Sequence, residues 1–498
     1  MHENSTSLWN DRSGDIESDP LRSSTQYDDV VVGAGLTGAV TALLLARSGR
    51  EVALIEARTP GAVATGNTTA KLSVLQGTHF SQLLGVHSEK VARAYLDANL
   101  EGQQWLLRYC SDQGVDFQRR DAFTYAAQPG EASALKAEYA ACNRLGLAVE
   151  MTDALSLPFE TFGALRLADQ AQFDPMQVLH ELLRDFRSHG GLLHTHCRFT
   201  GVDVRRMRSH ITTTRGTIDS SNVVLATGAP VLDRGLHFAK QTPNRSYALA
   251  FKPSSRAPEG MYISAGAPTR SLRTAPDETG LPLLLVGGNG HIVGREHSPQ
   301  ASVDALRAWT AEHFPGAVET HHWSAQDYMT FDHLPFVGRL PRGGGHLYAA
   351  TGFNKWGMTN AAASALSLAT LILDGESPWS KALGRRLANP KVAVNGLLAN
   401  AQTGVSLTNG WAKALAHGLG AGTPSEGEGE VGRRGRQLVA TSTVDGESCA
   451  LSAVCTHLGG IVTWNDQEKS WDCPLHGSRF DAQGNLLEGP AKMPLHVI

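Results

Sequence analysis

The stretch Asp29-Val-Val-Val-Gly33-Ala34-Gly35-Leu36-Thr37-Gly38 decides how most of this chain folds. An apolar, β-branched run ends in G-x-G-x-x-G and passes into a helical stretch from Ala39 to Ser48. After Gly49 a second apolar run, Glu51-Val-Ala-Leu-Ile55, ends at Glu56. This order of strand, helix, strand and acidic residue is that of a βαβ dinucleotide-binding unit. In such a unit Gly33 makes the tight turn, Gly35 lets backbone approach the pyrophosphate, and Gly38 lets the helix pack on the strand. The helix N-terminus offers unpaired N–H groups and the positive end of its dipole to the phosphates, so Ala34, Leu36 and Thr37 join the cofactor-binding positions. Glu56, with Ala57 after it, is placed to accept hydrogen bonds from the ribose hydroxyls. The motif alone does not separate FAD from NAD.

Further segments follow in a fixed order: Gly66-Asn-Thr68-Thr69-Ala70-Lys71; Phe173-Asp174-Pro175, opening a helical stretch to about Ser188; Ser221-Asn-Val-Val-Leu-Ala-Thr-Gly228; Thr330-Phe-Asp-His-Leu-Pro-Phe-Val-Gly338; and Tyr348-Ala-Ala-Thr-Gly352-Phe353-Asn-Lys355-Trp356-Gly357-Met358. Together they resemble the D-amino acid oxidase and sarcosine oxidase flavoprotein family, over roughly residues 28–385. The resemblance implies FAD, with Thr68, Thr69 and Ala70 passing over the isoalloxazine and ribityl pyrophosphate. It implies Gly228 at a strand-turn contact, and Gly352, Phe353, Gly357 and Met358 closing on the flavin ring. Where some members bond FAD covalently through Cys or His, this chain has Ala325 and Ala70, so non-covalent FAD is expected. Where carboxylate-binding members carry a Lys, it has Thr359, which disfavours a simple amino acid and leaves amines open. Lys71, Lys355 and Trp356 are the candidate catalytic residues on the flavin side; the competing reading is that Trp356 packs on the ring and the lysines meet phosphate or solvent.

Near the C-terminus, Cys455-Thr-His457-Leu-Gly-Gly and Cys473-Pro-Leu-His476-Gly-Ser are separated by fifteen residues between His457 and Cys473. Two thiolates and two imidazoles on tight loops are the ligand set of a [2Fe–2S] cluster with two cysteines on one iron and two histidines on the other. Spacing alone also allows a tetrahedral Cys2His2 zinc site. The flanking residues, CPLHGSRFD and Gly489-Pro490-Ala491, resemble the Rieske family. High-potential members carry a disulfide at the places of Gly460 and Leu475, and a tyrosine at the place of Phe480. Ser478 matches the serine that donates to a cluster sulfur. Fewer donors hold the reduced cluster less well, so the resemblance implies a potential in the lower or middle part of the Rieske range.

The 498 residues exceed one domain, and 41% hydrophobic with 18% charged residues is a globular composition. A net charge of -4 gives no footprint for nucleic acid or an anionic membrane. Of six cysteines, Cys110, Cys142, Cys197 and Cys449 have no paired spacing and are expected as buried free thiols. No long apolar run reads as a transmembrane segment and the acidic N-terminus lacks a leader pattern, so the expectation is a cytoplasmic protein. Asp185, His189 and His194 approach the composition of a mononuclear iron site, but fall at a helix end, a Gly-Gly turn and a strand, where solvated histidines are expected.

The expected architecture is α/β plus all-β. Residues 1–27 form an arm, in which Ser7-Leu8-Trp9 resembles a segment that docks on the flavin domain. Residues 28–390 form a Rossmann-type FAD domain interleaved with an α+β substrate domain at about 77–165 and 236–325. Residues 391–430 supply a packing helix (396–419) and a linker, and residues 431–498 a Rieske β domain. Trp464-Asn and Ser470-Trp-Asp-Cys473 extend the resemblance to bacterial FAD-dependent oxidoreductases with a C-terminal Rieske domain. The implied function is a dehydrogenase: an amine or amino-acid-like small molecule is oxidised at the flavin, and electrons leave singly through the cluster to a redox protein or quinone. Two rivals remain at this point, a reductase with the opposite flow and a redox sensor without turnover.

Overall fold

The computed structural model describes residues 6–205, 208–384, 390–420 and 422–498. The Val-rich run predicted to open the nucleotide unit is strand Gln26–Val32, at the centre of an eight-stranded sheet. It pairs in parallel with Val52–Ile55 on one side and Gly216–Leu225 on the other. Leu347–Thr351 and Leu192–His194 extend the parallel core outward. Val30 to Val32 and Val52 to Ile55 are buried, as expected of strands covered on both faces. Helix Leu36–Arg47 packs against helices Pro175–Ser188 and Gly357–Ile372. Helix Pro175–Ser188 starts where the sequence dictates: Asp174 accepts from the N–H groups of Met176 and Gln177, and Pro175 gives up no needed donor.

A second, nine-stranded sheet runs Val318–Thr330, Gln241–Lys252, Pro282–Ile292, Arg270–Pro276, Met261–Ser264, Phe117–Tyr125, Ala164–Phe173 and Lys71–Leu72, with Glu150–Thr152 paired to Ala164–Phe173. Two of these strands run past the substrate-segment limits of 165 and 325, because both are long and continue as single paired strands to Phe173 and Thr330. Lys71–Leu72 joins the edge of this sheet, so the loop after Gly66 passes from the nucleotide sheet to the substrate sheet.

The C-terminal domain has a three-stranded sheet, Gly429–Arg434, Gln437–Val444 and Glu447–Ser452. Its four-stranded sheet is Thr463–Asn465, Ser470–Asp472, Arg479–Asp481 and Leu486–Glu488. Trp471, Phe480 and Leu451 form its core. Its first strand begins inside the stretch read as linker, since Gly429 to Arg434 pairs residue by residue with Gln437 to Ser442.

The helix expected at 396–419 spans Pro390–Ala416, and it packs less than expected. Ala414 is buried, while Leu407 and Trp411 lean on the C-terminal core; Leu397, Leu398, Val405 and Leu415 are exposed. Cys110, Cys142 and Cys197 are buried, whereas Cys449 is only half-buried at a strand surface. Among the described residues no helix is long and apolar enough to cross a membrane. Residues 1–5 of the arm and 385–389 at the end of the flavin segment lie outside the described residues.

Candidate functional site

A cavity of about 380 Å³ opens at the carboxyl ends of the parallel strands and runs between the two large sheets. Gly33 turns the chain there with φ 103°, against the backbone of Ala226, where a side chain has no room. Gly35, Leu36 and Thr37 line the cavity, so the N-terminus of helix Leu36–Arg47 forms part of its wall. The Leu36 N–H donates to Thr65 Oγ1 at 3.0 Å. Glu56 lines the same end with Ala57; its carboxylate accepts from the Ala34 N–H at 2.8 Å and the Arg58 N–H at 2.9 Å. Ala34 and Gly38 lie behind the lining, Gly38 in direct contact with the Gly33 backbone. Arg198, whose charged form is disfavoured by burial and favoured by Glu56, lines the cavity beside them.

The loop from Gly66 to Ala70 forms one long wall. Its successive carbonyls are tied back by side-chain donors: Ser7 to Gly66, Trp323 to Asn67 (2.9 Å), Trp9 to Thr68 (2.7 Å), and Arg273 to Thr69 (2.8 Å) and Ala70 (2.9 Å). Ser7, Leu8 and Trp9 are buried, so this part of the arm is a built component of the wall. Thr68 and Thr69 face the cavity; Ala70, in the left-handed region at φ 52°, does not line it. Gly228, Gly352, Phe353, Gly357 and Met358 line the opposite side, with Ala325 and Thr359.

Lys71, Lys355 and Trp356 all line the far end. Lys71 Nζ donates at 2.6 Å to both the Tyr262 carbonyl and Ser271 Oγ, and burial together with nearby Arg273 lowers its pKa well below normal. Asp327, which the sequence reading missed, lines the cavity beside Lys355. Burial raises its carboxyl to about 6, against the N–H of Tyr328 (2.7 Å), the Lys355 charge and the Lys355 N–H. Burial in turn lowers Lys355, and Asp327 opposes the shift. No motif pointed to Asp327, because it is one residue of a thirteen-residue strand and only the fold brings it to Lys355.

Cys455 and Cys473 are both buried, and each thiol perturbs the other. The rings of His457 and His476 meet edge to face with centroids 5.1 Å apart. His457 Nδ1 is buried without a partner among the described residues, while its Nε2 faces Asp233 Oδ1 at 3.0 Å. An orphaned ring nitrogen beside two paired thiols is what a ligand set lacking its metal presents, so the four residues fit the [2Fe–2S] centre. A Cβ at Gly460 would lie 2.7 Å from Leu475 Cδ1, so the two loops pack closely at these positions. The Asp185, His189 and His194 trio does not assemble. Asp185 meets His189 at 3.1 Å, but His194 is buried, not solvated, with Nδ1 on the Asp19 carbonyl (3.1 Å) and Nε2 near Tyr27 (3.5 Å).

The two sites meet. Leu487, Glu488 and Gly489 of the C-terminal domain line the cavity. Gln326 Nε2 donates to the Gly477 carbonyl at 2.8 Å, next to His476, and Tyr328 donates to the Gly489 carbonyl at 3.3 Å. Arg198 donates to the Leu486 carbonyl and Arg295 to the Pro474 carbonyl. Arg245, buried in the second sheet, pairs with Glu468 at 2.6 Å and lies 3.8 Å from Glu488.

A dinucleotide cavity between a Rossmann-type sheet and a substrate sheet, joined to a two-cysteine, two-histidine centre, defines a flavoprotein oxidoreductase with an iron–sulfur domain. The chain belongs to the FAD dependent oxidoreductase family (DAO), whose sequence model matches residues 28–371, and a Rieske [2Fe-2S] domain matches residues 423–498. It is an FAD enzyme with a Rieske cluster. Along nearly its whole length it is similar to YhfW of Bacillus subtilis (strain 168), described as a Rieske 2Fe-2S iron-sulfur protein, at 31% identity over 98% of this chain and 96% of that one. A 45-residue stretch is 51% identical to the cytochrome b6-f complex iron-sulfur subunit of Synechococcus elongatus, covering 9% of this chain and 25% of that one. Among solved structures, glycine oxidase from Geobacillus kaustophilus matches with TM-score 0.61 at 20% identity, over 73% of this chain and all of that one. L-proline dehydrogenase from P. horikoshii matches with TM-score 0.58 at 19% identity, over 71% and 95%. These two likenesses establish the fold.

Proposed function

We propose that this protein is a dehydrogenase of an amine or amino-acid-like small molecule that delivers electrons through its cluster to a one-electron redox protein or quinone. The observation that carries this reading is the shared wall: residues 487–489 of the Rieske domain line the flavin cavity, and Gln326 spans from that cavity to the loop of His476. A fixed contact of this kind suits passage between two redox groups in one chain. Bound there, non-covalent FAD would supply two-electron hydride chemistry and the cluster one-electron chemistry.

The chain's own residues supply binding and proton handling. Gly33, Gly35, Leu36, Thr37, Glu56, Ala57, Thr68, Thr69, Gly228, Gly352, Phe353, Gly357 and Met358 would hold the dinucleotide, backed by Ala34, Gly38 and Ala70. Cys455, Cys473, His457 and His476 would hold the cluster. A protonated amine must lose its proton before its α C–H becomes a hydride donor. Asp327, raised to about 6, is a carboxylate at neutral pH and basic enough to take that proton. Lys355 orients Asp327 through its charge and backbone N–H, Lys71 anchors the substrate sheet at the cavity end, and Trp356 closes the wall. The amino acid substrates in the names of glycine oxidase and L-proline dehydrogenase support C–N chemistry for this fold.

The test is anaerobic absorbance titration with a panel of secondary amines, polyamines and amino acids. Bleaching of the flavin by a panel member supports the dehydrogenase. Absence of bleaching by every member, with ready reduction by a ferredoxin-like donor, overturns it in favour of the reductase.

A further inference from the structure

The loop from Thr227 to Lys240 leaves the nucleotide sheet after strand Gly216–Leu225 and enters the substrate sheet at Gln241. Its first part lines the flavin cavity through Gly228 and Val231. Its second part reaches the other redox centre. Asp233 Oδ1 lies 3.0 Å from His457 Nε2, and the Phe238 ring packs edge to face on both ligand histidines, with centroids 5.4 Å from His457 and 4.8 Å from His476. The His457 side chain is 7% exposed, while Asp233 is 54% exposed and held at the rim. The flavin domain therefore reaches the ligand pair directly, through Asp233 and Phe238.

We propose that Asp233 is a positioning residue by which the flavin domain sets the reduction potential of the cluster in the domain docked on it. With Nδ1 toward the metal, Nε2–H donates to the carboxylate, which fixes the tautomer and makes the imidazole a stronger donor. A stronger donor favours the oxidised cluster, so Asp233 lowers its potential. Phe238 excludes water from the same edge and keeps this charge effective. The proposal rests on the assignment of His457 as a cluster ligand.

The test is an EPR-monitored redox titration, at one fixed pH, of the full-length holoprotein and its Asp233→Asn, Asp233→Ser and Asp233→Glu variants. Loss of the carboxylate in Asn or Ser should shift the reduction equilibrium about tenfold toward the reduced cluster, a rise of about 59 mV for one electron. Asp233→Glu should return the potential toward that of the parent, which a purely structural contact would not require. Whichever of the Asn and Ser variants assembles the cluster decides the matter. An unchanged potential with an intact reduced-cluster signal overturns the role of Asp233. Absence of a Rieske signal in the parent protein overturns the ligand assignment beneath it.

Discussion

Replacing Arg245 with Met should undock the two redox domains. Arg245 sits in a buried charge cluster whose side chains are at most 11% exposed: Arg245 and Arg479 against Glu468, Asp472 and Glu488. Arg479 holds Asp472 at 2.9 Å and Glu488 at 3.4 Å, and also pairs with Glu468. Burial alone would raise Asp472; Arg479 and Arg245 outweigh it and hold the carboxyl below its ordinary value. Only Arg245 comes from the flavin segment, where it also contacts Gln326 at 3.4 Å. Met fills much of the volume but leaves three buried carboxylates to one arginine. Breaking a buried pair in this way costs about 3–5 kcal/mol. With a urea dependence of about 2 kcal/mol/M, the midpoint for loss of the Rieske domain should fall by about 1.5–2.5 M. Visible circular dichroism of the cluster and flavin fluorescence, followed together through a urea titration, would separate that transition from unfolding of the flavin domain. A loss below about 1 kcal/mol, the value of an exposed pair, would refute the claim that this cluster fastens the domains.

Other consequences are local. Trp9→Phe keeps the buried ring but removes the N–H that ties down the Thr68 carbonyl; at about 1 kcal/mol, FAD should bind about fivefold more weakly, measured by flavin fluorescence on dilution. For Asp327 the acid limb of kcat/KM with an amine substrate should fall below about pH 6, and Asp327→Asn should abolish that limb along with most activity. Because burial raises this carboxyl in the fold, its contribution to stability is present at low pH and lost as pH rises through about 6. Asp327→Asn should therefore be more stable than the parent at pH 7–8 by thermal melting.

Much of the fold could be read because its signals are local. Gly33, Gly35 and Gly38 sit at fixed spacing after a buried Val run, and Asp174-Pro175 announces a helix start; each is a short-range constraint that any folded context must respect. The four proposed cluster ligands stand out for the same reason, as two tight loops with metal-binding side chains. Asp327, Gln326, Asp233 and Phe238 do not, because each gains its meaning from a partner brought close by topology. Asp233 is 224 positions from His457, and Gln326 is 151 from Gly477. The helix over 390–416 misled for the opposite reason. Its leucines and valines form an irregular apolar stripe, yet Leu407, Trp411 and Ala414 make the contact and Leu397, Leu398 and Val405 lie outside it. Periodicity records an apolar face without saying whether this chain covers it.

In the proposed function, substrate electrons cross from the flavin cavity to the cluster within one chain. Rapid mixing of the anaerobic holoprotein with its reducing amine, freeze-quenched for EPR and followed in parallel by flavin absorbance, tests it directly. The reduced Rieske signal should grow in as the flavin bleaches. Full bleaching with the cluster left oxidised would contradict it.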